Sequence, residues 1–239
     1  MAPILEDLAP GYRIEKKYYL SLSEAAALRE RLDPIMHRDP HADAHRHYLV
    51  KSAYLDDRDE HSLAASLLGL EKRKKYRVRT YNDSDDFIGL EAKIKRGNYS
   101  YKQCIRITRD DYESLLRGDP TPLRAYDCDL ARRLYFDMRA NGYRLRCLVC
   151  YDREVYLHPI QRTRITLDSN ICCAVGSCDL FAPHHFLPVF PAGVVLLEVK
   201  YNHFLPEFIS DLLPRDAMPA TANSKFARSR AVTDWSTLQ

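Results

Sequence analysis

Residues 72–106 read KRKKYRVRTYNDSDDFIGLEAKIKRGNYSYKQCIR, and they contain three runs in which charged and apolar side chains alternate. Because successive side chains of a β-strand point to opposite faces, each run predicts a strand with one charged face and one apolar face. Turn-forming residues at 82–85 and 97–98 separate the runs. The charged faces comprise, in order, Lys75, Arg77 and Arg79; Glu91, Lys93 and Lys95; Lys102 and Arg106.

These charged faces are almost purely basic, which is unusual for a sheet face in water. A solvated face normally mixes the two signs, because like charges directly opposite each other repel. The simpler alternative is a meander with this face in water. If the sheet instead curls with the basic face inside, an anion bound there relieves the repulsion, and helices must cover the apolar outer faces. We therefore expect a closed sheet around an anion-binding interior.

The composition of the whole chain shows that the basic character of these strand faces is a local feature. The chain has 239 residues, with 36 Lys and Arg against 33 Asp and Glu, a formal net charge of +3. Such a balance argues for a focused site rather than for a general polyanion binder. The first ten residues, MAPILEDLAP, lack the pattern of a signal peptide, and no run approaches a membrane span. Seven cysteines without a disulfide framework favour a reducing compartment, so we expect a cytoplasmic protein.

The remaining segments complete an α+β fold. Alternating patterns predict further strands at 12–20, 48–56, 145–153, 162–168 and 193–201. Capping and helical patterns predict helices at 23–32, 61–70, 109–117, 129–141 and 206–213, with a last one starting after Ser224. About eight strands fit a closed antiparallel β-barrel, a tunnel surrounded by helices. We expect one domain over residues 1–239, with its core at about 12–232.

The other predicted strands add more charged side chains to the interior. Arginines bind phosphate oxygens with two parallel hydrogen bonds, and lysines act as point charges, so such an interior suits polyphosphate groups. Carboxylates among these cations suit a divalent metal that in turn binds phosphate. No glycine-rich phosphate loop and no kinase motif set occurs. The added inward residues are Arg13, Glu15, Lys17, Arg153, Arg162, Arg164, Asp168, Glu198 and Lys200.

The cysteines are interpreted as structural. Cys147 and Cys150 form a lone CxxC, and on a strand these positions face opposite ways. No second pair at zinc spacing occurs, so we expect core thiols there. Cys172, Cys173 and Cys178 fall in a segment that we expect to be irregular.

Seven motifs in order resemble a known family. They are Arg13-x-Glu15-x-Lys17-Tyr18, Arg77-x-Arg79-x-Tyr81, Glu91-x-Lys93 with Lys102, Tyr151-x-Arg153, Arg164-Ile165-Thr166-x-Asp168, Glu198-x-Lys200-Tyr201 and Ser224-Lys225-Phe226. This order resembles the polyphosphate polymerase domain of the vacuolar transporter chaperone (VTC) complex and its stand-alone prokaryotic relatives. Those proteins belong to the triphosphate tunnel metalloenzymes.

The resemblance implies an enzyme that transfers the γ-phosphate of ATP onto a growing polyphosphate chain, with Mn²⁺ or Mg²⁺ as cofactor. From it we expect Arg77, Arg79, Lys93, Arg153 and Arg164 to act on the transferring group. Glu198 matches the family's metal-binding glutamate, and Glu15, Glu91 and Asp168 are further candidate ligands. The candidate polyphosphate-binding residues are Lys17, Lys75, Lys95, Lys102, Arg106, Arg162, Lys200 and Lys225, some from the family match and some from their inward parity.

Two other classes stay open at this point. Tunnel hydrolases of the superfamily carry an ExExK motif, whereas this chain has Arg13 at the first acidic position, which favours a polymerase. A tunnel triphosphatase or polyphosphatase and a non-catalytic polyanion-binding module remain the alternatives. ATP and inorganic polyphosphate are the expected partners. Nucleic acid is not expected, because the shaft is too narrow for a duplex; the chain has no membrane segment of its own, and the resemblance leaves room for a membrane-protein partner.

Overall fold

The computed structural model describes residues 12–42, 47–97, 99–214, 218–219 and 224–236, with side chains described up to residue 233. The strands are β1 (Arg13–Leu20), β2 (His37–Arg38), β3 (Tyr48–Asp56), β4 (Lys72–Tyr81), β5 (Ser84–Arg96), β6 (Tyr99–Ile107), β7 (Arg144–His158), β8 (Thr163–Ala174), β9 (Phe186–Pro188), β10 (Val195–Tyr201) and β11 (Met218–Pro219). The helices are α1 (Leu22–Leu32), α2 (His61–Leu67), α3 (Arg109–Leu116), α4 (Asp129–Ala140), α5 (Glu207–Ser210) and α6 (Lys225–Ser236), with 3-10 turns at Thr121–Ala125 and Ile160–Arg162.

Eight of these strands form a ring. Their order is β7-β3-β4-β5-β6-β1-β10-β8, and a further pairing of β8 with β7 closes it. Every pairing is antiparallel, and the short strands β2, β9 and β11 extend the sheet beside β7, β8 and β1. The α+β prediction of an eight-stranded antiparallel sheet enclosing an interior is therefore confirmed.

Strand register brings the predicted charged faces together on the inside. Arg77 of β4 lies opposite Glu91 of β5, and Lys93 of β5 lies opposite Lys102 of β6. A one-residue slip would turn every one of these side chains to the outer face, so the register determines the chemistry of the interior. Among the residues that the structure describes, β6 and β1 share two pairs, Arg13↔Ser100 and Ile14↔Tyr99, fewer than the other neighbouring strands of the ring.

Helices cover the apolar outer face, as the alternation requires. Leu28 and Leu32 of α1 are fully buried against the outward side chains of β1, β8 and β10. Helix α1 begins with a capping box in which Ser21 Oγ accepts from the Glu24 N–H while the Glu24 carboxylate accepts from the Ser21 N–H. Helices α3 and α4 cover the outer faces of β4, β5 and β6 in the same way, with Tyr112 and Leu134 fully buried.

The start of α6 packs inside the ring rather than outside it. Phe226 is buried and stacks on Tyr54 of β3, with 5.3 Å between ring centroids. It joins an apolar cluster that includes Val149 of β7 and Phe190 of the β9–β10 connection. One part of the interior is therefore filled by apolar side chains, which confines the polar space to the rest of the ring.

The structure corrects two expectations about β8. Gln161 and Arg162 have positive φ values of 55° and 47° and lie in a 3-10 turn, so the alternation begins after Arg162. Arg162 is thus not part of the inward face that Arg164 belongs to. Cys172 and Cys173 lie in regular β structure opposite β7, not in an irregular segment. In the described part of the chain, no helix combines the length and apolar character needed to cross a membrane.

Candidate active site

The ring encloses a cavity of about 640 Å³ lined mainly by charged side chains. Strands β1, β3–β8 and β10 and the start of α6 all contribute to its wall. Two carboxylates, Glu15 and Glu198, line it directly. The lining cations are Arg13, Lys16, Lys17, Arg73, Lys75, Arg77, Arg79, Lys93, Lys95, Lys102, Arg153, Arg164, Lys200 and Lys225.

Glu15 and Glu198 form an acidic centre surrounded by lysines. Lys93 Nζ lies 2.5 Å from Glu15 and 4.0 Å from Glu198, and Lys200 Nζ lies 2.9 Å from Glu198 and 3.9 Å from Glu15. Lys17 Nζ adds a contact of 3.2 Å to Glu15. Both carboxylates are almost completely buried, so their charges depend on these ammonium groups.

The pKa values in this centre result from two opposing effects: burial and like charges disfavour the charged forms, whereas neighbouring opposite charges favour them. Burial and the neighbouring Glu198 raise the pKa of Glu15, but Lys93, Lys17 and Lys200 outweigh them and bring it to about 2. The pKa of Glu198 is held well below its ordinary value despite burial, chiefly by Lys200 and Lys17. Burial, with repulsion from Lys17, lowers the pKa of Lys93 to about 8 against the pull of Glu15. Both carboxylates are therefore ionised at neutral pH, while Lys93 titrates close to it.

A third carboxylate, Glu91, orients two cations. Arg77 donates to it through Nε at 2.7 Å and Nη2 at 2.5 Å, and Lys102 Nζ lies 3.1 Å away. Burial raises the pKa of Glu91, but Arg77 and Arg79 lower it by more, so the pKa is below its ordinary value and the carboxylate stays charged. With its side chain about 1% exposed, Glu91 lies behind the cavity wall and fixes Arg77 from the rear.

Asp168 of β8 likewise orients two cations, at the part of the cavity wall formed by β7 and β8. Arg153 donates to it through Nε at 2.6 Å and Nη2 at 2.7 Å, and Lys225 of α6 donates at 2.6 Å. This fork uses one edge of the guanidinium and leaves Nη1 for a ligand. Helix α6 is thereby tied to β8 by an ion pair at the cavity wall.

Tyrosine hydroxyls set the direction of the β4 arginines. Tyr54 accepts from Arg77 Nη1 at 3.2 Å, and Tyr151 accepts from Arg79 Nη2 at 2.8 Å. Arg79 also donates from Nε to Ser52 at 2.9 Å. These partners come from β3 and β7, and Glu91 comes from β5, so three other strands hold the two arginines.

A third part of the cavity contains cations without a close carboxylate among the residues that the structure describes. Lys75 donates to Ser224 Oγ at 2.6 Å, and Arg73 and Lys95 lie near it. Burial, with repulsion from Lys17, Arg73 and Lys93, lowers the pKa of Lys75 well below its ordinary value. Such a group gains most from an anion, because a bound negative charge restores its favoured protonated form.

Most of the predicted site residues therefore line one cavity, Glu91 and Asp168 lie buried behind its wall, and two lie outside it. Arg106 is exposed and donates to the Asp86 carbonyl, outside the cavity lining. Arg162 is exposed, and its carbonyl accepts a hydrogen bond from Arg13. Sequence reasoning missed Arg73, which continues the β4 alternation by one more inward position. It also missed Tyr54, Tyr151, Ser100 and Lys16, whose positions depend on pairings between distant strands.

The donor set can be tested against a divalent metal. In the described ranges no group of three or more His, Cys, Asp or Glu is placed to hold one. Glu15 and Glu198 nevertheless contact the same two ammonium groups, so a small divalent cation bound between them would meet two carboxylates. Glu91 and Asp168 are each already occupied by an arginine fork and a lysine. Glu198 and Glu15 fit a metal better than the other two.

Comparisons with known proteins agree with this fold. A search of curated proteins finds no match. Among solved structures, a putative adenylyl cyclase from Hippeastrum, described as having a dominant triphosphatase activity, has a TM-score of 0.52 and 14% identity, covering 93% of this chain and 96% of that one. A putative adenylate cyclase from Vibrio parahaemolyticus has a TM-score of 0.47 and 11% identity, covering 85% and 83%. At 14% identity, the likeness to the Hippeastrum protein shows the fold alone.

The family model of the VTC domain matches residues 12–233, nearly the whole chain. The chain therefore belongs to the VTC domain family. Family and cavity together support a tunnel-type function related to polyphosphate.

Proposed function

We propose that this protein is an ATP-dependent polyphosphate polymerase. It transfers the γ-phosphoryl group of ATP to the terminal phosphate of an inorganic polyphosphate chain. The observation that supports this most is the convergence of cations from seven strands and from the start of α6 on a single cavity, with carboxylates that hold several of them in fixed directions. Such an arrangement suits a ligand with many adjacent negative charges rather than a single phosphate.

Phosphoryl transfer asks the protein mainly for alignment and for neutralisation of charge. The bond from Pγ to the bridging oxygen of ATP breaks, and a terminal polyphosphate oxygen forms the new bond, so ADP leaves. That acceptor oxygen is already ionised, and no strong general base is needed. Arg77, Arg79, Lys93, Arg153 and Arg164 are the proposed groups that stabilise charge on the transferring phosphoryl group.

The remaining cations hold donor and acceptor in line. Lys17 and Lys200 flank the acidic centre, and Lys75 and Lys95 lie in the part of the cavity without close carboxylates. Lys102 and Lys225 complete the proposed binding set, whereas the exposed positions of Arg106 and Arg162 argue for at most a peripheral role. A divalent metal held by Glu198 and Glu15 would neutralise charge on the triphosphate. The cytoplasmic location and a membrane-protein partner stay predictions.

The test is incubation of purified protein with ATP and Mn²⁺, followed by gel staining for chain length and by measurement of free orthophosphate. Long chains with stoichiometric ADP are expected. Orthophosphate without chains would replace this proposal with a triphosphatase, and neither product would indicate a binding module.

A matched pair of variants shows whether turnover takes place in this cavity. Arg164→Gln removes a cavity cation that donates a hydrogen bond to the Tyr48 hydroxyl at 3.2 Å, so little structural damage is expected. Arg162→Gln makes the same change two residues earlier, outside the cavity lining. Turnover should fall strongly in the first and stay near the parent value in the second. Equal effects would show that the reaction does not depend on the cavity.

A further inference from the structure

Two cysteines face each other across neighbouring strands, in a place that the cavity does not use. Cys150 of β7 and Cys172 of β8 are direct partners in the antiparallel register. Such partners have Cα atoms about 4.5–5.5 Å apart, inside the range that a disulfide bridges. Cys172 Sγ lies 3.5 Å from the Cys150 carbonyl oxygen, so its sulfur is beside the backbone of Cys150. The register and this contact place the two cysteines side by side.

The pair lies on the outer face of the ring. Its neighbours Tyr151, Ile171 and Cys173 belong to the interior apolar cluster, so side chains one position away point outward. Across the sheet, Lys51 of β3 is the partner of Cys150. Cys172 is partly exposed, whereas Cys150 is 6% exposed. A small oxidant can therefore reach Cys172 first, and Cys150 is adjacent to it.

Local electrostatics favour the same order of events. Interaction with the Cys150 thiol lowers the pKa of Cys172, and the same interaction, together with burial, raises the pKa of Cys150. Lys51 favours the thiolate form of both. A thiolate that is exposed and has a second thiol beside it is the usual setting of an oxidation-sensitive site.

We propose that Cys150 and Cys172 form a reversible disulfide when the protein meets hydrogen peroxide. The Cys172 thiolate attacks one peroxide oxygen, the O–O bond breaks, and a sulfenic acid forms while hydroxide leaves and is protonated to water. The Cys150 sulfur then attacks the Cys172 sulfur, and the sulfenic oxygen leaves as a second water with the Cys150 proton. Two thiols are oxidised, and one peroxide is reduced to two waters.

The proposed disulfide lies next to residues of the cavity wall. The β7–β8 pairing shifts register between Cys150 and Asp152, so the bond would fix a bulge that precedes Arg153. Tyr151, which orients Arg79, lies inside that bulge. The disulfide proposal itself does not depend on what reaction the cavity supports.

The experiment treats the full chain with a few equivalents of hydrogen peroxide and counts free thiols. The parent should lose two of its seven thiols, peptide mapping should link residues 150 and 172, and dithiothreitol should restore both. Cys172→Ser should lose none at this dose, and Cys150→Ser should give a dimedone-reactive sulfenic acid at Cys172. Cys104→Ser, which removes an exposed cysteine elsewhere, should behave like the parent.

Three outcomes would overturn the proposal: an unchanged thiol count, oxidation confined to Cys104, or a link between other cysteines such as Cys147 and Cys178. Circular dichroism and thermal melting show whether the serine variants fold. If they do not, the peptide map of the folded parent decides alone, since it reads the bond directly.

Discussion

Glu198 carries a charge that neighbouring lysines stabilise inside the cavity. It is almost fully buried, and lysines hold its pKa well below the ordinary value, so it is ionised at any working pH. Glu198→Gln keeps its shape and removes its charge. We expect turnover to fall about a hundredfold or more, because the proposed metal loses a ligand. Polyphosphate binding should persist or tighten, since one negative charge leaves the cavity.

Steady-state rates at saturating Mn²⁺, together with polyphosphate titration, measure both effects. Glu113→Gln on the outer surface of α3 makes the same chemical change at an exposed site and should behave like the parent. Unchanged turnover in Glu198→Gln would point to Glu15, Glu91 or Asp168 as the ligand instead.

Arg77 and Arg79 test whether direction matters as well as charge. Each donates several hydrogen bonds from a guanidinium fixed by partners on other strands. Arg→Lys keeps the charge but loses the planar fork. Polyphosphate affinity should change little, while turnover should fall on the order of a hundredfold. Arg106→Lys, outside the cavity, is the matched control, and parent-like rates in both cavity variants would reduce these arginines to electrostatic attraction.

The lowered pKa of Lys93 predicts how polyphosphate binding depends on pH. Its pKa is lowered to about 8 by burial and by repulsion from Lys17. A bound polyanion stabilises the charged form and raises that pKa, so binding takes up a proton above pH 8. Affinity should therefore decrease from pH 7 to 9, by at most about tenfold per unit for this group. Titration at constant ionic strength measures the slope, which should shrink in Lys93→Arg because arginine stays charged; equal slopes would contradict the assignment.

At the scale of elements, the helices that cover the ring depend on their first residues. Ser21 and Thr108 each begin a capping box, on α1 and α3 respectively. Ser21→Ala and Thr108→Ala should each lower the free energy of unfolding by about 1 kcal/mol, because a helix N–H loses its acceptor. The two losses should add, since the helices cover different parts of the sheet.

Chemical denaturation measures these losses, and turnover at low denaturant should stay at the parent value because neither helix lines the cavity. Ser23→Ala is the control: it removes a hydroxyl that contacts Ser21 Oγ at 3.1 Å but leaves the capping box in place, so it should cost less. A loss of turnover without a loss of stability would mean that α1 acts on the site directly.

Local periodicity explains both what was predictable and what was not. The inward faces of β4 and β5 follow from alternation alone, because a strand has a fixed period of two. The same rule failed at Arg162, where two residues with positive φ end the alternation before β8 begins. The hydroxyl partners of Arg77 and Arg79 come from strands far away in sequence. Which side chains meet there depends on strand order and register, which no local pattern contains.

At the scale of the whole molecule, positive and negative charges are nearly equal in number, but the positive ones are concentrated in the cavity. The chain has a formal net charge of only +3, yet its cavity lining contains many cations and two carboxylates. Acidic residues elsewhere on the chain compensate for this concentration. The protein as a whole should attract polyanions weakly, whereas the interior should attract them strongly, because cations from several strands concentrate positive potential in the cavity.

Two lysines of the same strand can separate these contributions. Lys75→Gln removes a cavity cation, and Lys72→Gln removes an exposed one, so both variants have the same net charge. We expect polyphosphate affinity to fall about tenfold in Lys75→Gln, the loss of one hydrogen bond to a charged group. Lys72→Gln should differ from the parent only at low ionic strength, where distant exposed charges still act. Titrations of both variants at two salt concentrations decide the matter: equal weakening in the two would mean that net charge, not the enclosed cavity, binds the polymer.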